Sequence, residues 1–291
     1  MSELKEISFS RIQVFRNCRR KYYYRYILNK EAKVPQFPLS FGKIVHQALY
    51  EYHLGDKNIL NCIEKAKNDF LNAYPDYNPE RVDYEMGLIL GVLSAYLEIF
   101  PSFDYIEPEK EIRLSLNGIE IVGRIDGLIQ EGNKWWILEH KTIGSTSVID
   151  FQKRLQLDDQ PTLYMYALRG YDVCGVLYNL IRRPRFVKYP QESYKQFAER
   201  IKGKILKDPS MYFSRFKIYR TLRGIKEFEK ELLYLIHTIR ECHKYPDRLE
   251  VFYKNPYYCS SYLECEYRPL CVFGISDRLL EMLYKDREEE K

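Results

Sequence analysis

The chain contains no uninterrupted apolar stretch long enough to span a bilayer, and its opening residues, Met-Ser-Glu-Leu-Lys-Glu, lack the apolar core of a signal peptide. It also contains no G-x-x-x-x-G-K-(S/T) phosphate loop, internal repeat or low-complexity segment. These absences argue against a membrane protein, a secreted protein and an ATP-driven motor. We therefore expect a cytoplasmic, intracellular protein with no membrane partner.

The composition that is present is typical of a globular protein. With 291 residues, 45% of them apolar, the chain is long enough to bury a sizeable core in one large domain. The net charge of +5 permits a polyanionic partner but does not require one. Tyrosine is abundant, at 27 residues, and many tyrosines neighbour Arg or Lys, as in residues 21–25. This pattern suits stacking on bases beside phosphate contacts, although ordinary core and surface packing would also produce it.

The seven cysteines are an odd number with uneven spacing, which argues against a disulfide framework and for free thiols or a metal site. Three of them form the pattern Cys259-x5-Cys265-x5-Cys271 in a turn-rich segment, where packing alone does not explain them. A tetrahedral metal site would need a fourth ligand. Three others lie within apolar elements, where cysteine usually acts as a small hydrophobic residue: Cys62, Cys174 and Cys242.

Residues 123–142 predict a β-hairpin that carries acidic and basic groups, with residues 131–134 as its turn. In the second strand, the alternation of side chains places Glu139 and Lys141 on one face. Asp126 lies in the first strand, and strand pairing could bring it close to Glu139. Two carboxylates with an adjacent ammonium can hold a hard divalent cation. The alternative is a surface hairpin with solvated charges, but the mostly apolar neighbours would make an unpaired carboxylate costly.

Other elements follow from capping and periodicity. A capping box at Ser10 to Gln13 predicts a helix whose apolar face continues past Cys18 to Tyr26, and Asn117-Gly118 predicts a type I′ hairpin. That hairpin and the strand through Asp126 predict three consecutive antiparallel strands at the centre of one sheet. A strand–helix–strand crossover would follow. Further predicted segments are helices at residues 40–53, 59–74, 80–100, 194–207, 225–243 and 276–291, a helix opening at Gln160, a strand at 173–181 and a basic stretch at 215–223.

Four motifs, in this order, resemble those of the PD-(D/E)xK nuclease superfamily, in its RecB-like and AddB-like branch. Residues 41–46 resemble the motif G-x-x-(V/I)-H, residues 123–126 the motif G-x-x-D, and residues 138–142 the motif (D/E)-x-K-T. Gln160-x-x-x-Tyr164 resembles Q-x-x-x-Y, and its two side chains share a helix face because they are four residues apart. The resemblance implies an α/β fold with a restriction-endonuclease-like mixed β-sheet core flanked by helices, a helical insertion and cysteine-stapled termini.

The resemblance also implies a site. His46, Asp126 and Glu139, helped by the backbone carbonyl of His140, would hold Mg²⁺ or Mn²⁺. The metal would polarise a phosphodiester and activate water. Lys141 would orient that water or stabilise the transition state. The implied catalytic residues are Asp126, Glu139, Lys141, Gln160 and Tyr164, the last two positioning the nucleic-acid strand.

In AddB-like relatives an N-terminal cysteine joins three C-terminal ones around a [4Fe–4S] cluster. The resemblance therefore implies a cluster held by Cys18, Cys259, Cys265 and Cys271 that ties the two chain ends together. The gap between Cys259 and Cys265 is longer than the usual C-x2-C, and four thiolates also suit zinc, which remains the alternative.

The implied function is a metal-dependent DNA nuclease, expected to be an exonuclease, that hydrolyses phosphodiester bonds in recombination, repair or replication. Its substrate would be single-stranded DNA or a duplex end, and a helicase or recombination protein is a candidate partner. Phosphate contacts are expected from two basic clusters: Arg16, Arg19 and Arg20, and Arg182 and Arg183. The alternatives are a non-catalytic nucleic-acid-binding module and a structural subunit of a recombination or helicase assembly.

We expect one nuclease domain over residues 1–291, with a helical part at about 54–105, a catalytic core at about 106–190 and a C-terminal helical and cysteine-cluster region at about 191–291.

Overall fold

The computed structural model describes residues 4–34, 37–100, 103, 105–144, 147–260 and 264–287. The helices of these residues are α1 Phe9–Asn17, α2 Arg19–Tyr22, α3 Phe37–Leu54, α4 Ile59–Ala73, α5 Pro79–Ile99, α6 Val148–Gln156, α7 Asp159–Ala167, α8 Tyr194–Ile205, α9 Leu222–His243, α10 Arg268–Phe273 and α11 Asp277–Leu283. The strands are β1 Glu6–Ser8, β2 Lys30–Ala32, β3 Tyr105–Pro108, β4 Glu111–Leu116, β5 Ile119–Arg124, β6 Gly127–Glu131, β7 Lys134–Ile143, β8 Val173–Arg182, β9 Phe213–Ile218 and β10 Tyr284–Asp286.

The chain divides into two compact units. The first consists of Met1–Val34, Arg113–Gly123 and Lys226–Lys291, and the second of Pro35–Ile112 and Arg124–Ile225. The expected organisation as one nuclease domain stays a prediction. No helix in the described ranges is long and apolar enough to cross a membrane.

The second unit is built around a mixed sheet, which confirms the predicted α/β class. In the described residues its strand order is β3-β6-β7-β8-β9, and β7 and β8 are parallel while the other pairs are antiparallel. The hairpin formed by β6 and β7 is confirmed, as is the crossover to β8, which contains both α6 and α7. Two parallel strands need such a connection because the chain must return to the end of the sheet at which the first strand began. The sequence indicated α7 but not α6 or β3.

A layer of helices covers the sheet, and its core is packed from α3, α4, α5 and α8. The helices α5 and α8 come close together because α5 carries Gly87 and Gly91. A Cβ atom at position 91 would lie 2.6 Å from the carbonyl oxygen of Ala198 on α8. Glycine is therefore required there by the close approach of two backbones.

The hairpin of β4 and β5 is also confirmed, with φ of 50° at Asn117 and 72° at Gly118. The prediction that it continues into β6 within one sheet is wrong. In the described residues β5 pairs with β4 and also with β1, to which it runs parallel. These three strands form a sheet separate from that of β6. The chain leaves β5 at Ile125, whose N–H donates to the carbonyl of Lys110 at 3.1 Å. This bond turns the backbone before β6 begins, so Asp126 lies at a bend between strands.

Two helix predictions in the first unit are corrected. The N-cap of α1 is Ser8, whose Oγ accepts from the Arg11 N–H at 3.3 Å, rather than Ser10. The helix also does not continue through Cys18, because Cys18 adopts an extended conformation with φ of −159° and separates α1 from α2. Apolar spacing at helical intervals continues across this break, which is why the pattern predicted one helix.

The predicted helix at residues 276–291 is wrong at its second half. The helix α11 ends at Leu283, and β10 then pairs with β2 in an antiparallel ladder. Residues 288–291 lie outside the described residues. The basic stretch at 215–223 includes the second part of β9, which contains Arg215 and Lys217.

Candidate active site

The predicted site residues of the second unit lie on four neighbouring pieces of backbone. Asp126 lies at the bend before β6, Glu139 and Lys141 lie on β7, His46 lies on α3, and Gln160 and Tyr164 lie on α7. The helix α3 can approach β7 because it carries Gly42, where a Cβ atom would lie 3.0 Å from Oγ1 of Thr142. The glycine of the His46 motif therefore has a packing role.

Asp126 is held by contacts from α3 and from β7. Its Oδ1 lies 3.1 Å from Nδ1 of His46, and its Oδ2 accepts from the backbone N–H of His140 at 2.6 Å. Burial alone would raise the pKa of Asp126, but His46 and the other nearby cationic groups lower the pKa well below its usual range. Burial likewise opposes the charge of His46, and the Asp126 carboxylate nevertheless raises the pKa of that imidazole. The structure thus brings together an ionised carboxylate and a histidine that are 80 residues apart in the chain.

Glu139 and Lys141 form an ion pair on the same face of β7, as the alternation predicted. Lys141 Nζ donates to Glu139 Oε2 at 3.1 Å and to Gln160 Oε1 at 2.9 Å. Gln160 Nε2 then donates to the Tyr164 hydroxyl at 2.6 Å, which donates to the Arg124 carbonyl at 3.1 Å. A continuous chain of hydrogen bonds therefore joins β7, α7 and the end of β5, and it fixes the direction of the Lys141 ammonium.

Glu139 is only 2% exposed, and burial raises its pKa to about 7, with Lys141 opposing and Asp126 reinforcing the shift. For Lys141, burial lowers the pKa, but the carboxylates of Glu139 and Asp126 outweigh burial and raise it. Tyr178 lies opposite Glu139 in the sheet register, and its buried hydroxyl has no hydrogen-bond partner among the described residues. The site thus contains several buried polar groups whose charges or hydrogen-bonding atoms are only partly satisfied.

These groups fit a hard divalent cation by their chemistry, since two carboxylates and one imidazole are available. Within the described ranges, no three or more His, Cys, Asp or Glu side chains converge on a common point in the manner of a metal site. In the described residues Asp126 bonds to His46, and Glu139 bonds to Lys141.

The sequence did not indicate the polar groups behind β7. The His140 side chain points to the other face of the sheet, is 3% exposed, and has its Nδ1 3.3 Å from Nδ2 of Asn179. Arg215 Nε donates to Asn179 Oδ1 at 2.5 Å, and its guanidinium also reaches the Tyr96 hydroxyl at 2.9 Å. Burial lowers the pKa of His140 to about 3, so this imidazole is neutral at physiological pH. A single asparagine inside an apolar strand was the available signal for this network.

The four predicted cluster cysteines lie in the first unit. Cys18 is buried at the break between α1 and α2, and the other three are partly buried. Burial raises the pKa of the Cys271 and Cys265 thiols, and the nearby Cys18 and Cys259 thiols add smaller upward shifts to Cys271 and Cys265 respectively. The backbone N–H of Cys265 also donates to the Cys259 carbonyl at 2.9 Å. Residues 261–263, between these two cysteines, lie outside the described residues.

The arginines predicted to contact phosphates differ in environment. Arg16 is exposed and lies 3.9 Å from Glu231. Arg19 lies over the rings of Phe15 and Tyr253.

The remaining three arginines are engaged by the protein itself to different degrees. Arg20 donates to the carbonyls of Phe252 and Leu249 at 2.8 and 3.2 Å. Arg182 donates to the Gly144 carbonyl at 3.1 Å, and burial lowers the pKa of Arg183. Arg20 and Arg183 are therefore not ordinary solvated side chains.

A family model described as the PD-(D/E)XK nuclease superfamily matches residues 6–272. The chain therefore belongs to the PD-(D/E)XK nuclease superfamily, and this part of the resemblance is confirmed. Membership implies a nuclease and thus a hydrolase, and such nucleases generally use Mg²⁺ or Mn²⁺.

The chain has a low level of similarity to several solved structures. A candidate exonuclease from Eubacterium rectale is 12% identical with a TM-score of 0.45, and the match covers 81% of this chain and 82% of that one. The structure of SSO0001 is 15% identical with a TM-score of 0.31, covering 67% and 73%. The protein VC1899 from Vibrio cholerae is 14% identical with a TM-score of 0.21, covering 78% and 62%. A search of curated proteins finds no significant match.

Proposed function

We propose that this protein is a metal-dependent DNA nuclease of the RecB-like type, acting as an exonuclease in recombination, repair or replication. The observation that supports this most is the position of Lys141, whose ammonium is held between Glu139 and Gln160 beside the Asp126 carboxylate. A directed ammonium next to two carboxylates is what metal-assisted phosphodiester hydrolysis needs.

Each residue has a role in the proposed reaction. Asp126, Glu139, the His46 imidazole and the backbone carbonyl of His140 would hold Mg²⁺ or Mn²⁺. That cation, when bound, supplies charge to polarise the phosphodiester and to acidify a water. Lys141 would donate a hydrogen bond to the attacking water or to the phosphate oxygen on which charge develops.

Gln160 and Tyr164 would keep the Lys141 ammonium in place and position the DNA strand. The chain of hydrogen bonds from Lys141 Nζ through Gln160 and Tyr164 to the Arg124 carbonyl supports these roles.

The test is cleavage of labelled single-stranded and duplex DNA in Mn²⁺ by the wild-type protein and by Lys141→Ala. We expect Lys141→Ala to retain Mn²⁺ binding, measured by calorimetry, and to lose about a hundredfold or more in rate, since the ammonium acts mainly in the transition state. Asp126→Asn should lose the Mn²⁺ as well. The matched control is Lys202→Ala on α8, which removes a lysine whose Nζ lies 2.8 Å from Oε2 of Glu98.

Cleavage by Lys141→Ala at the wild-type rate would refute the assignment. A wild-type protein that binds DNA without cleaving it would instead support a non-catalytic nucleic-acid-binding module. A protein that does neither would support a structural subunit of a recombination or helicase assembly.

We further propose that Cys18, Cys259, Cys265 and Cys271 hold a [4Fe–4S] cluster, with zinc as the alternative. Cys18 lies close enough to Cys271, and Cys259 close enough to Cys265, to add to the raised pKa values of Cys271 and Cys265, which supports this grouping. Protein purified without oxygen should be brown, and Cys18→Ala should lose the colour and melt at a lower temperature. Cys174→Ala should keep both properties. Colourless protein with stoichiometric zinc would exclude the cluster, and unchanged metal content in Cys18→Ala would exclude Cys18.

Phosphate contacts are proposed most strongly for Arg16, which is exposed, and for Arg182, which is partly exposed at the end of β8. Replacing each with Gln should weaken DNA binding irrespective of sequence and reduce its salt dependence. An unchanged salt slope would assign these side chains to the ordinary solvated surface.

A further inference from the structure

We infer that Arg220 is a positioning residue for the proposed nuclease site, because it fixes the first turn of α7, which carries Gln160. The inference rests on the proposed function and extends it to a residue outside the four motifs. Arg220 follows β9 by two residues and is half-buried.

The Arg220 guanidinium makes four hydrogen bonds with the connection that leads into α7 and with its own strand end. Nε donates to Thr162 Oγ1 at 2.7 Å, and Nη2 donates to the carbonyls of Leu155 and Asp158 at 3.0 and 2.9 Å. Nη1 donates to the Tyr219 carbonyl at 3.0 Å. The planar fork of arginine can reach several acceptors at once, which a lysine ammonium cannot do in the same geometry. We call these contacts the Arg220 clamp.

Three of the four acceptors of the Arg220 clamp lie around the start of α7. The Leu155 carbonyl belongs to the last turn of α6, whose terminal carbonyls lack partners within the helix. Asp158 is the N-cap of α7, and its side chain accepts from the Gln160 N–H at 2.8 Å. Thr162 lies in the first turn of α7 and is 7% exposed. Arg220 therefore holds both sides of the short link between α6 and α7.

The Arg220 clamp is anchored to the sheet. The last residue of β9, Ile218, pairs with Val176 on β8, the strand that lies beside β7. The position of α7 relative to β7 is consequently set by the sheet through Arg220. Lys141 Nζ donates to Gln160 Oε1 at 2.9 Å, so a shift of the first turn of α7 would change the direction of the Lys141 ammonium.

A local restraint is needed because α7 has only nine residues, and the link before it is exposed, with Leu157 at 89% exposure. Helices of this length are marginal without tertiary contacts. Packing around the buried residues 161–166 also holds α7, and the Arg220 hydrogen bonds add a restraint on where the helix starts and how its first turn is rotated. Rotation of α7 is the movement that would take Gln160 away from Lys141.

The kinetic test uses Arg220→Ala and Arg220→Lys with the DNA cleavage assay in Mn²⁺. We expect kcat to fall about 10- to 100-fold in Arg220→Ala with little change in KM, the usual range for residues that orient catalytic groups. Added methylguanidinium should restore part of the rate in Arg220→Ala. Arg220→Lys should remain impaired, because it keeps the charge but loses the fork.

The matched control is Arg200→Ala. Arg200 also makes several hydrogen bonds, to both carboxylate oxygens of Glu192 and to the Val187 carbonyl, but it lies on α8 and contacts no part of α7 in the contacts described. A merely structural loss should affect the two variants alike. A kcat of Arg220→Ala equal to that of Arg200→Ala, with no response to methylguanidinium, would overturn the inference.

Hydrogen exchange followed by mass spectrometry tests the Arg220 clamp without any nuclease activity. The amides of residues 157–160 and 162 should exchange faster in Arg220→Ala than in the wild type, while those of β7 stay protected. If the wild-type protein proves inactive, the proposed function fails and this measurement alone decides whether the clamp exists. Unchanged exchange at residues 157–160 and 162 would refute the clamp in either case.

Discussion

The contact between Gly42 and Thr142 offers a quantitative test of how α3 is placed against β7. An alanine Cβ at position 42 would lie 3.0 Å from Thr142 Oγ1, which is closer than ordinary van der Waals contact. The perturbation is Gly42→Ala, alone and combined with Thr142→Ala. His46 lies four residues after Gly42 on the same helix, so a displacement of α3 is also a displacement of the His46 imidazole.

Two opposing free energies act on Gly42→Ala. Replacing glycine by alanine inside a helix stabilises it by about 0.5–1 kcal/mol. Inserting a methyl group into a tight contact costs about 1–3 kcal/mol. The expected net change is therefore a destabilisation of about 0–2.5 kcal/mol. In the double variant Thr142 Oγ1 is absent, so the clash is relieved while the helix gain remains.

The assay is chemical denaturation of the wild type, both single variants and the double variant, analysed as a double-mutant cycle. We expect a coupling free energy of about 0.5–2 kcal/mol between the two positions. In the cleavage assay Gly42→Ala should lose about tenfold in rate, because small displacements of catalytic groups are costly. A Gly42→Ala variant that gains the full helix stabilisation, with no coupling to Thr142→Ala, would refute the reasoning.

Two further predictions concern other parts of the chain. Burial, reinforced by the charge of Arg11, lowers the pKa of His243 from 6.5 to about 4, so its contribution to stability is present above pH 6.5 and is lost as the pH falls towards 4. Between pH 6.5 and 4, His243→Gln should lose about 1–2 kcal/mol less unfolding free energy than the wild type, after allowing for the partial exposure of His243. If both proteins lose the same amount, groups other than His243 cause the decline. In the α5–α8 contact, Gly91→Ala should destabilise by about 2 kcal/mol or more, because its Cβ meets the Ala198 carbonyl, whereas Gly203→Ala, which meets nothing within 4 Å, should stabilise by about 0.5–1 kcal/mol. Equal melting temperatures for these two variants would contradict the packing argument.

The sequence by itself determined the features that depend on local periodicity. Strand alternation placed Glu139 and Lys141 on one face, and the ion pair at 3.1 Å has that geometry. Helical spacing placed Gln160 beside Tyr164, and their side chains are hydrogen-bonded at 2.6 Å. Both relations follow from repeats of two and about four residues, which are properties of the backbone and need no knowledge of the rest of the chain.

Only the tertiary structure decided the relations between distant segments. The pairing of His46 with Asp126 and the Arg220 clamp on α7 join residues that no local repeat relates. The strands β5 and β6 lie in different sheets, and the backbone bends between them. Sequence pattern missed this because an apolar run looks the same whether or not the backbone turns within it. Basic residues show the same limit. A run of arginines predicts a charged surface, but whether a guanidinium faces solvent or a backbone carbonyl, as Arg20 does, depends on which chain segment packs beside it.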